Sequence, residues 1–571
     1  MRINTLARVI PAVGWLSQYN GKLFGQDLTA AIIVTVLLIP QSLAYALLAG
    51  VPPEVGLYAS IFPLVAYAVF GSSRTLSVGP VAVISLMTAT SLGNVVALGI
   101  TDYLTAAITL ALLSGVFLIA MGILKLGFVT NFLSHSVISG FISASAIIIA
   151  LSQLKHLLAI DIQGDTLREL IPPLIEGISQ THFITLALGV AVLIFLFLSK
   201  HYSAKFFCFL GINQQRSATL AKTAPILGVI ASITAVYAFN LESQSVALTG
   251  HVPPGLPSLT FSIPSIALIQ ALAIPALLIS LIGYVESISV GKTLAGKRRE
   301  KINPNQELIG LGAANIASSL SGAFPVTGGF SRSVVNFDAG AATQAASIYA
   351  AMGIALASLF LTPVLYYLPK AALAATIIIA VLSLIDFSIL RKTWVFAKSD
   401  FIAVLTTIFL TLFFGVEIGV ASGIIISILL HLYRTSTPHI AEVGLIEGTQ
   451  HFRNIHRYET LTVPQIITLR PDESLFFANT NYLEDLILEA IRKNDKIAHV
   501  ILLCTAVNEI DFSALEMLET LNHRLSDQGI RLHLSEVKGS VMDTLMRTGL
   551  IEELSGNVYL TQYEAYSALK P

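Results

Sequence analysis

Apolar residues fill the first 433 positions in blocks of about twenty, separated by short polar stretches. A block of that length crosses the hydrocarbon layer of a bilayer as one helix. The blocks fall at 28–48, 53–70, 103–124, 133–154, 184–199, 224–239, 269–288, 305–324, 346–368, 372–386, 400–414 and 416–433. Two further apolar segments, 80–92 and 330–340, are too brief to cross alone. Each follows a break rich in glycine and proline, Leu76-Ser-Val-Gly-Pro-Val-Ala-Val83 in one and Pro325-Val-Thr-Gly-Gly-Phe-Ser-Arg-Ser333 in the other. If an extended stretch completes each crossing, the segments number fourteen and both termini lie on one side. Interrupted segments in matching places of two halves point to a substrate site built from half-helices. Beyond about residue 464 the pattern changes. Ile466–Leu469, Ser474–Phe477, Val500–Leu503 and Ile530–Leu534 read as strands, and Tyr482–Arg492, Ser513–Leu525 and Gly539–Thr548 as helices. That alternation predicts a small α/β domain.

Composition sharpens this division. The chain is 54% hydrophobic and 12% charged, against roughly 25% charged in soluble domains. Residues 434–571 nevertheless hold 31 of the 67 charges. The expected organisation is a membrane domain over 1–434, a linker over 435–463 and a soluble domain over 464–571. The net charge of −1 gives no sign of nucleic-acid binding. Cys208 and Cys504 fall one in each region, so no structural disulfide is expected. Met1–Gln26 lacks the apolar core and small-residue cleavage site of a signal peptide, so the first apolar block reads as a retained span. With a cytoplasmic N-terminus, the inner segments before residue 434 carry seventeen Lys and Arg, while the outer segments carry only Lys155, Arg168 and Lys370. This asymmetry fits the positive-inside rule. It also sets the two interrupted segments antiparallel and puts the soluble domain in the cytoplasm.

Arg332 lies just inside the second half-helix, in Phe330-Ser-Arg-Ser333. An ionisable residue at that depth marks function by default. Two helix N-termini contribute about +0.5 each and Arg332 adds +1, so the site sums to roughly +2 and suits a divalent oxyanion. Gly79, Val81, Ala82, Phe330, Ser331 and Ser333 would line it, with backbone N–H groups of Val81 and Phe330 as donors. Pro80 has no N–H and shapes the turn. The alternative is an Arg332 that snorkels to a headgroup or closes an interhelical bond. Glu286, in Leu281-Ile-Gly-Tyr-Val-Glu-Ser-Ile288, stands near the end of a long span, where desolvation favours its neutral form and a nearby Arg332 opposes it. A group held between these pulls could take up a proton and release it with the anion; the alternative is a carboxylate at the membrane face. Gln41 and Tyr45 are spaced i, i+4 on one face of the first span and could complete the pocket, or could simply pack between helices. No metal-ligand cluster, nucleophilic triad or phosphate-binding loop stands out, so neither a cofactor nor a catalysed reaction is expected. In the soluble domain Ser513-x-x-Glu516 reads as a capping box, with a regulatory Ser513 as the alternative.

Taken together, Pro53-Glu-Val-Gly-Leu-Tyr-Ala-Ser60, Gly71-Ser-Ser-Arg74, Ser77-Val-Gly-Pro-Val-Ala82 and Phe330-Ser-Arg-Ser333 resemble the sulfate permease (SulP) family over essentially the whole chain. Val55 stands where the family signature usually has an aromatic. The tail resembles the STAS domain, and Asp511-Phe-Ser513 falls where anti-sigma-factor antagonists carry a phosphorylatable serine. The resemblance implies a polytopic α-helical protein of 14 segments in 7+7 inverted repeats, a core domain moving against a gate domain as an elevator, and a homodimer. It places Glu286 at the coupling carboxylate of proton-driven members, whereas sodium-coupled bicarbonate members tend to have an aspartate there. The function this favours is proton-coupled sulfate uptake across a bacterial inner membrane, with the STAS domain a candidate docking site for a cytoplasmic protein. A dicarboxylate or bicarbonate carrier, an uncoupled anion channel, and a non-transporting scaffold or sensor working through the STAS domain are the alternatives.

Overall fold

The computed structural model describes residues 10–571 except 98, 133, 163, 210–212, 214–216, 218–223 and 262. Arg2, Arg8, Arg216 and Lys222, counted above on the inner side, lie outside the described residues. The chain divides into two compact units, one ending at Ser427 and one running from Ile428 to Pro571.

Among the described residues, beside the short helices Ala12–Leu16 and Thr362–Leu365, the α-helices of the first unit are α1 (Gly21–Leu48), α2 (Pro53–Tyr58), α3 (Phe62–Phe70), α4 (Ala82–Ala97), α5 (Tyr103–Ile123), α6 (His135–Leu158), α7 (Leu167–Gly177), α8 (Phe183–Phe209), α9 (Ala224–Ala238), α10 (Ile266–Lys297), α11 (Pro304–Leu320), α12 (Phe330–Asp338), α13 (Ala345–Phe360), α14 (Lys370–Leu382), α15 (Ser388–Phe396), α16 (Lys398–Phe414) and α17 (Val416–Ser436), whose last residues pass into the second unit. Most of the apolar segments expected to cross the membrane fall on one of these helices. Among the described residues six are long and apolar enough to cross alone: Gly21–Leu48, Pro53–Phe70, Tyr103–Ile123, His135–Leu158, Ile266–Lys297 and Val416–Ser436. The segment 53–70, read as one span, is broken between α2 and α3 by a turn at 59–61. There the hydroxyls of Ser42 and Ser60 meet at 2.7 Å, and Gly56 lets α2 press against the Ser42 carbonyl of α1. Helices α7 and α15 were not expected; α7 alternates apolar and charged residues with the helical period and leaves Ile171 and Ile175 exposed.

These helices form two bundles. One gathers α1–α5 with α10–α13, and the other α6, α8, α9, α14 and α16. Small residues bring the helices close. Gly115 on α5 and Gly312 on α11 face one another, each leaving no room for a Cβ against the other's carbonyl. Gly419 and Gly423 do the same for α17 against Thr411, Val137 and Thr407. Ser91 on α4 donates to Glu417 at the start of α17 at 2.6 Å, a polar link between these two helices.

The extended stretches before α4 and α12 are strands β1 (Val78–Gly79) and β2 (Thr327–Gly328). They pair antiparallel, Val78 with Gly328 and Gly79 with Thr327. Both half-helices thus leave one two-stranded crossing in opposite directions, as the charge asymmetry implies. Side chains hold this crossing. Asn315 of α11 exchanges two hydrogen bonds with the Val326 backbone, at 2.9 and 3.0 Å. Ser333 Oγ accepts from the Ser77 N–H and donates to the Gly329 carbonyl. Buried Glu307 takes the N–H groups of Ser72 and Ser73 together with the Tyr67 and Ser72 hydroxyls. Asp27 takes the N–H groups of Ala342 and Thr343 and the Thr343 hydroxyl. A buried carboxylate is tolerated when hydrogen bonds satisfy it in this way.

The second unit is a six-stranded sheet in the order β4-β3-β5-β6-β7-β8, built from β3 (Ile440–Leu445), β4 (Phe452–Asn454), β5 (Ile466–Pro471), β6 (His499–Leu503), β7 (Arg531–Ser535) and β8 (Val558–Tyr559). Strands β5 to β8 run parallel, and β3 pairs antiparallel with both β4 and β5. Helices α18 (Thr480–Lys493) and α19 (Phe512–Asp527) bury Leu483, Ile487, Leu518, Leu521 and Leu525 against Val500, Leu502, Leu532 and Leu534. Three expectations need correction. Residues 435–463, expected as linker, contribute β3 and β4 to the sheet. Ser474–Phe477 is a turn rather than a strand, because Asn479 bonds back to Phe476 N and Ser474 O, leaving one bridge from Leu475 to Ile510. The cap of α19 is Asp511, which accepts from Ala514 N at 2.8 Å and from Phe477 N at 2.9 Å; Ser513 lies exposed inside the first turn. A carboxylate with two backbone donors caps better than a serine with one.

Candidate functional site

The first four N–H groups of a helix have no partner within it. Gly329, the residue capping α12, offers no side chain, and the first intrahelical bond runs from Ser333 N to Gly329 O at 3.0 Å. In α4 the corresponding bond runs from Ser85 N to Val81 O at 2.9 Å. Both half-helices therefore present uncapped N-termini to one place.

That place is a cavity of about 80 Å³ lined by Gln41, Tyr45, Pro80, Val81, Ala82, Glu286, Gly329, Phe330, Ser331, Arg332, Ala380, Ser383 and Leu384. Of the residues singled out in the sequence, Gln41, Tyr45, Val81, Ala82, Phe330, Ser331, Arg332 and Glu286 come together here. Gly79 and Ser333 do not line the cavity. Gly79 backs the Arg332 guanidinium, where a Cβ would sit 3.1 Å from Nη1. Ser333 is turned inward to the β1 contact described above. Ser513 belongs to the other unit. Ala380, Ser383 and Leu384 were missed; α14 reads as an ordinary apolar span, and no local signal marks its end as a cavity wall. They come from the second bundle, whereas the other lining residues come from the first, so the cavity lies between the bundles.

Arg332 is 2% exposed. Its Nη1 donates to the Pro80 carbonyl at 2.7 Å and its Nη2 reaches the Thr327 carbonyl at 3.5 Å. Its buried Nε has no partner. Gly329 flanks it on the other side, where a Cβ would come within 2.9 Å of Nη2. The guanidinium therefore fills a slot walled by two glycines and bridges the two half-helices. Tyr45, Arg332 and Glu286 lie within electrostatic reach of one another. The arrangement offers an anion two sets of free N–H groups, a guanidinium with donor capacity to spare and a hydroxyl at Ser331. Phe330, 51% exposed, forms an open apolar wall. Among the described residues no group of His, Cys, Asp and Glu is arranged to hold a metal ion.

Comparison with known proteins identifies the family. The model of the sulfate permease family matches residues 24–407, and that of the STAS domain matches 457–565. Sulfate transporter 4.1, chloroplastic, of Arabidopsis thaliana is 37% identical over 564 residues, 96% of this chain and 81% of the relative. The probable sulfate transporter 3.4 of the same plant is 34% identical, covering 99% and 88%. Among solved structures, the murine Slc26a9 anion transporter in its inward-facing state superimposes with a TM-score of 0.88 at 23% identity, covering 99% of this chain and 94% of that one. The transmembrane domain of the cyanobacterial bicarbonate transporter BicA gives 0.59 at 22% identity over 71% and 98%. The chain belongs to the sulfate permease family, and it is a multi-pass membrane anion transporter with a C-terminal STAS domain.

Proposed function

We propose that this transporter is a proton-coupled sulfate importer working by alternating access, with the first bundle as a moving core and the second as a gate. The observation that carries this reading is the convergence of two uncapped half-helix N-termini, Arg332 and Glu286 on one cavity. The helix ends and the guanidinium supply roughly +2, which offsets a sulfate dianion. Val81 and Phe330 N–H, Ser331 and Arg332 hold its oxygens, while Gln41 and Tyr45 close the pocket. With sulfate bound and Glu286 ionised the core would carry a net −1, so the arriving dianion favours proton uptake by Glu286, and by reciprocity the proton favours sulfate. The core then crosses with little net charge, which lowers the barrier to moving it through a low-dielectric layer. Named relatives that are sulfate transporters support the choice of anion. The same reading sets the protein in an inner membrane as a homodimer, with its N-terminus and STAS domain cytoplasmic, and leaves the STAS domain free to engage a cytoplasmic protein.

The test is uptake into proteoliposomes under an imposed inward proton gradient, with sulfate, fumarate and bicarbonate offered in turn. Sulfate should accumulate above its external concentration and be competed weakly by the other two. Accumulation of fumarate or bicarbonate without sulfate uptake would overturn the assignment. Glu286→Gln should keep sulfate binding and lose gradient-driven accumulation; unchanged accumulation removes Glu286 from the coupling step.

A further inference from the structure

The structure assigns Ser287 and Thr327 as positioning residues that fix Glu286 relative to Arg332. This rests on the proton-coupled reading above. Glu286 and Arg332 stand on different elements, α10 and α12, and the distance between them is set by what joins these elements. A hydrogen-bonded relay does so. The Gly328 N–H donates to Ser287 Oγ at 2.9 Å. Ser287 Oγ lies 2.8 Å from Thr327 Oγ1, and Thr327 Oγ1 donates to the Gly283 carbonyl at 2.6 Å.

Donor counting gives the relay one direction. An N–H only donates, and each hydroxyl has a single proton. The Thr327 proton goes to the carbonyl, so the Ser287 proton goes to Thr327. The chain runs Gly328 N–H to Ser287 O–H to Thr327 O–H to Gly283 C=O, with every proton used once. Ser287 and Thr327 are fully buried, so water does not compete. Gly283 and Ser287 bracket Glu286 within one helical turn. A Cβ at Gly283 would come 3.0 Å from Thr327 Oγ1, so the helix and β2 are already in contact there. Beyond Gly328 the chain passes through Gly329 directly into α12 and Arg332. The carboxylate and the guanidinium are thus tied by five residues and two hydroxyls, all in the bundle assigned to move.

Coupling needs that fixed gap. Glu286 must feel the charge of Arg332 when the site is empty and its neutralisation when the anion arrives, and Coulomb energy varies as the inverse of the distance. The groups facing Glu286 restrict the alternatives. From α1 and α12 come Tyr45 and Arg332. From α6, α16 and α17 come Val137, Ile138, Phe141, Ile142, Thr407, Val420, Gly423 and Ile424, none of them ionisable. Loosening the relay therefore changes the electrostatics of Glu286 through Arg332.

The experiment measures two activities of the full chain in proteoliposomes: sulfate-for-sulfate exchange at equal pH, and accumulation driven by an inward proton gradient. Ser287→Ala removes the acceptor of the Gly328 N–H. It should leave exchange within about threefold of wild type, lower gradient-driven accumulation about tenfold and displace the pH profile of uptake. Ser287→Thr keeps the hydroxyl and should restore the profile. Thr327→Ser should behave as wild type and Thr327→Val as Ser287→Ala. An unchanged pH profile and accumulation in Ser287→Ala, or equal loss of exchange and accumulation in both alanine and threonine variants, overturns the proposal. If Glu286→Gln abolishes accumulation while Ser287→Ala does not, only the positioning role fails. If wild type shows no gradient-driven accumulation, the coupled reading fails and this proposal with it.

Discussion

The two units of this protein bury ionisable groups in opposite ways. In the membrane unit Arg332 is enclosed with a free Nε and a single short bond, to the Pro80 carbonyl, between two uncapped helix ends. Spare donors on a buried guanidinium are poor for stability and suited to holding an anion. In the soluble unit buried His533, packed against half-buried His499, has both ring nitrogens satisfied. His533 Nδ1 accepts from the Asn557 N–H at 3.0 Å, so its proton lies on Nε2, 3.1 Å from His499 Nδ1. Desolvation, then the nearby His499 and Arg531, push the His533 pKa down to about 4 and keep it neutral. Burial leaves a charge available in the first case and suppresses one in the second. The lesson is that a buried titratable group reports function only when its hydrogen-bonding capacity is left open.

This contrast is tested most strongly at Arg332. Arg332→Ala should lower sulfate uptake about 100-fold or more, a transition-state loss of about 3 kcal/mol, while thermal unfolding of the soluble unit stays unchanged. Uptake within twofold of wild type would show that the helix ends suffice. Gly329→Ala places a methyl within 2.9 Å of Arg332 Nη2 and should reduce uptake about tenfold by displacing the guanidinium. A variant with normal uptake would mean that the slot tolerates movement.

The soluble unit should respond in stability and not in transport. The folded pKa of His533 lies below the usual histidine value of about 6.5. The unfolded chain therefore binds this proton first, and the stabilisation, complete above pH 6.5, is lost as pH falls toward 4. Between pH 7 and pH 5 the loss should be on the order of 2 kcal/mol. It would be read as faster amide exchange in 499–503 and 531–535 of the intact protein, corrected for intrinsic rates. His533→Phe should flatten that dependence; an unaltered slope would place the titration elsewhere. The smallest effect concerns α19. Asp511→Ala should destabilise the soluble unit by about 1 kcal/mol and Ser513→Ala by a few tenths. The reverse order would restore Ser513 as the cap.

Much of the site was legible because its signals are local. Gly79 and Pro80, and Gly328 and Gly329, interrupt apolar runs, and the i, i+4 pair Gln41 and Tyr45 shares a helix face whatever it packs against. Arg332 was conspicuous because charge in an apolar block is rare. The remainder depends on contacts between distant segments. Nothing around Ala380, Ser383 and Leu384 distinguishes α14 from any other apolar helix. Ser333, beside Arg332 in sequence, turned to Ser77 because successive helical residues point about 100° apart. In the soluble unit the alternation of strands and helices was readable, but β3 and β4 lie in a stretch of mixed composition, and β3 joins the sheet through β5 while β4 joins it through β3. At α19 the sequence pattern points to Ser513, two residues past the true cap, since Asp511 owes part of its role to Phe477, 34 positions away.

The pairing of β1 with β2 has a consequence for biosynthesis. Val78 and Gly328 are 250 positions apart and lie opposite one another in the ladder, where the Gly329 N–H donates to the Ser77 carbonyl. At about 5–20 residues per second, roughly 10–50 s pass between their emergence from the ribosome. Throughout that interval the first half-helix is in the membrane without the strand that completes its backbone hydrogen bonds. An open strand edge in lipid is unfavourable. The nascent chain must therefore hold Leu76–Pro80 beside other helices or at the lipid surface until the second repeat arrives, which makes this segment a natural client for whatever assists membrane insertion.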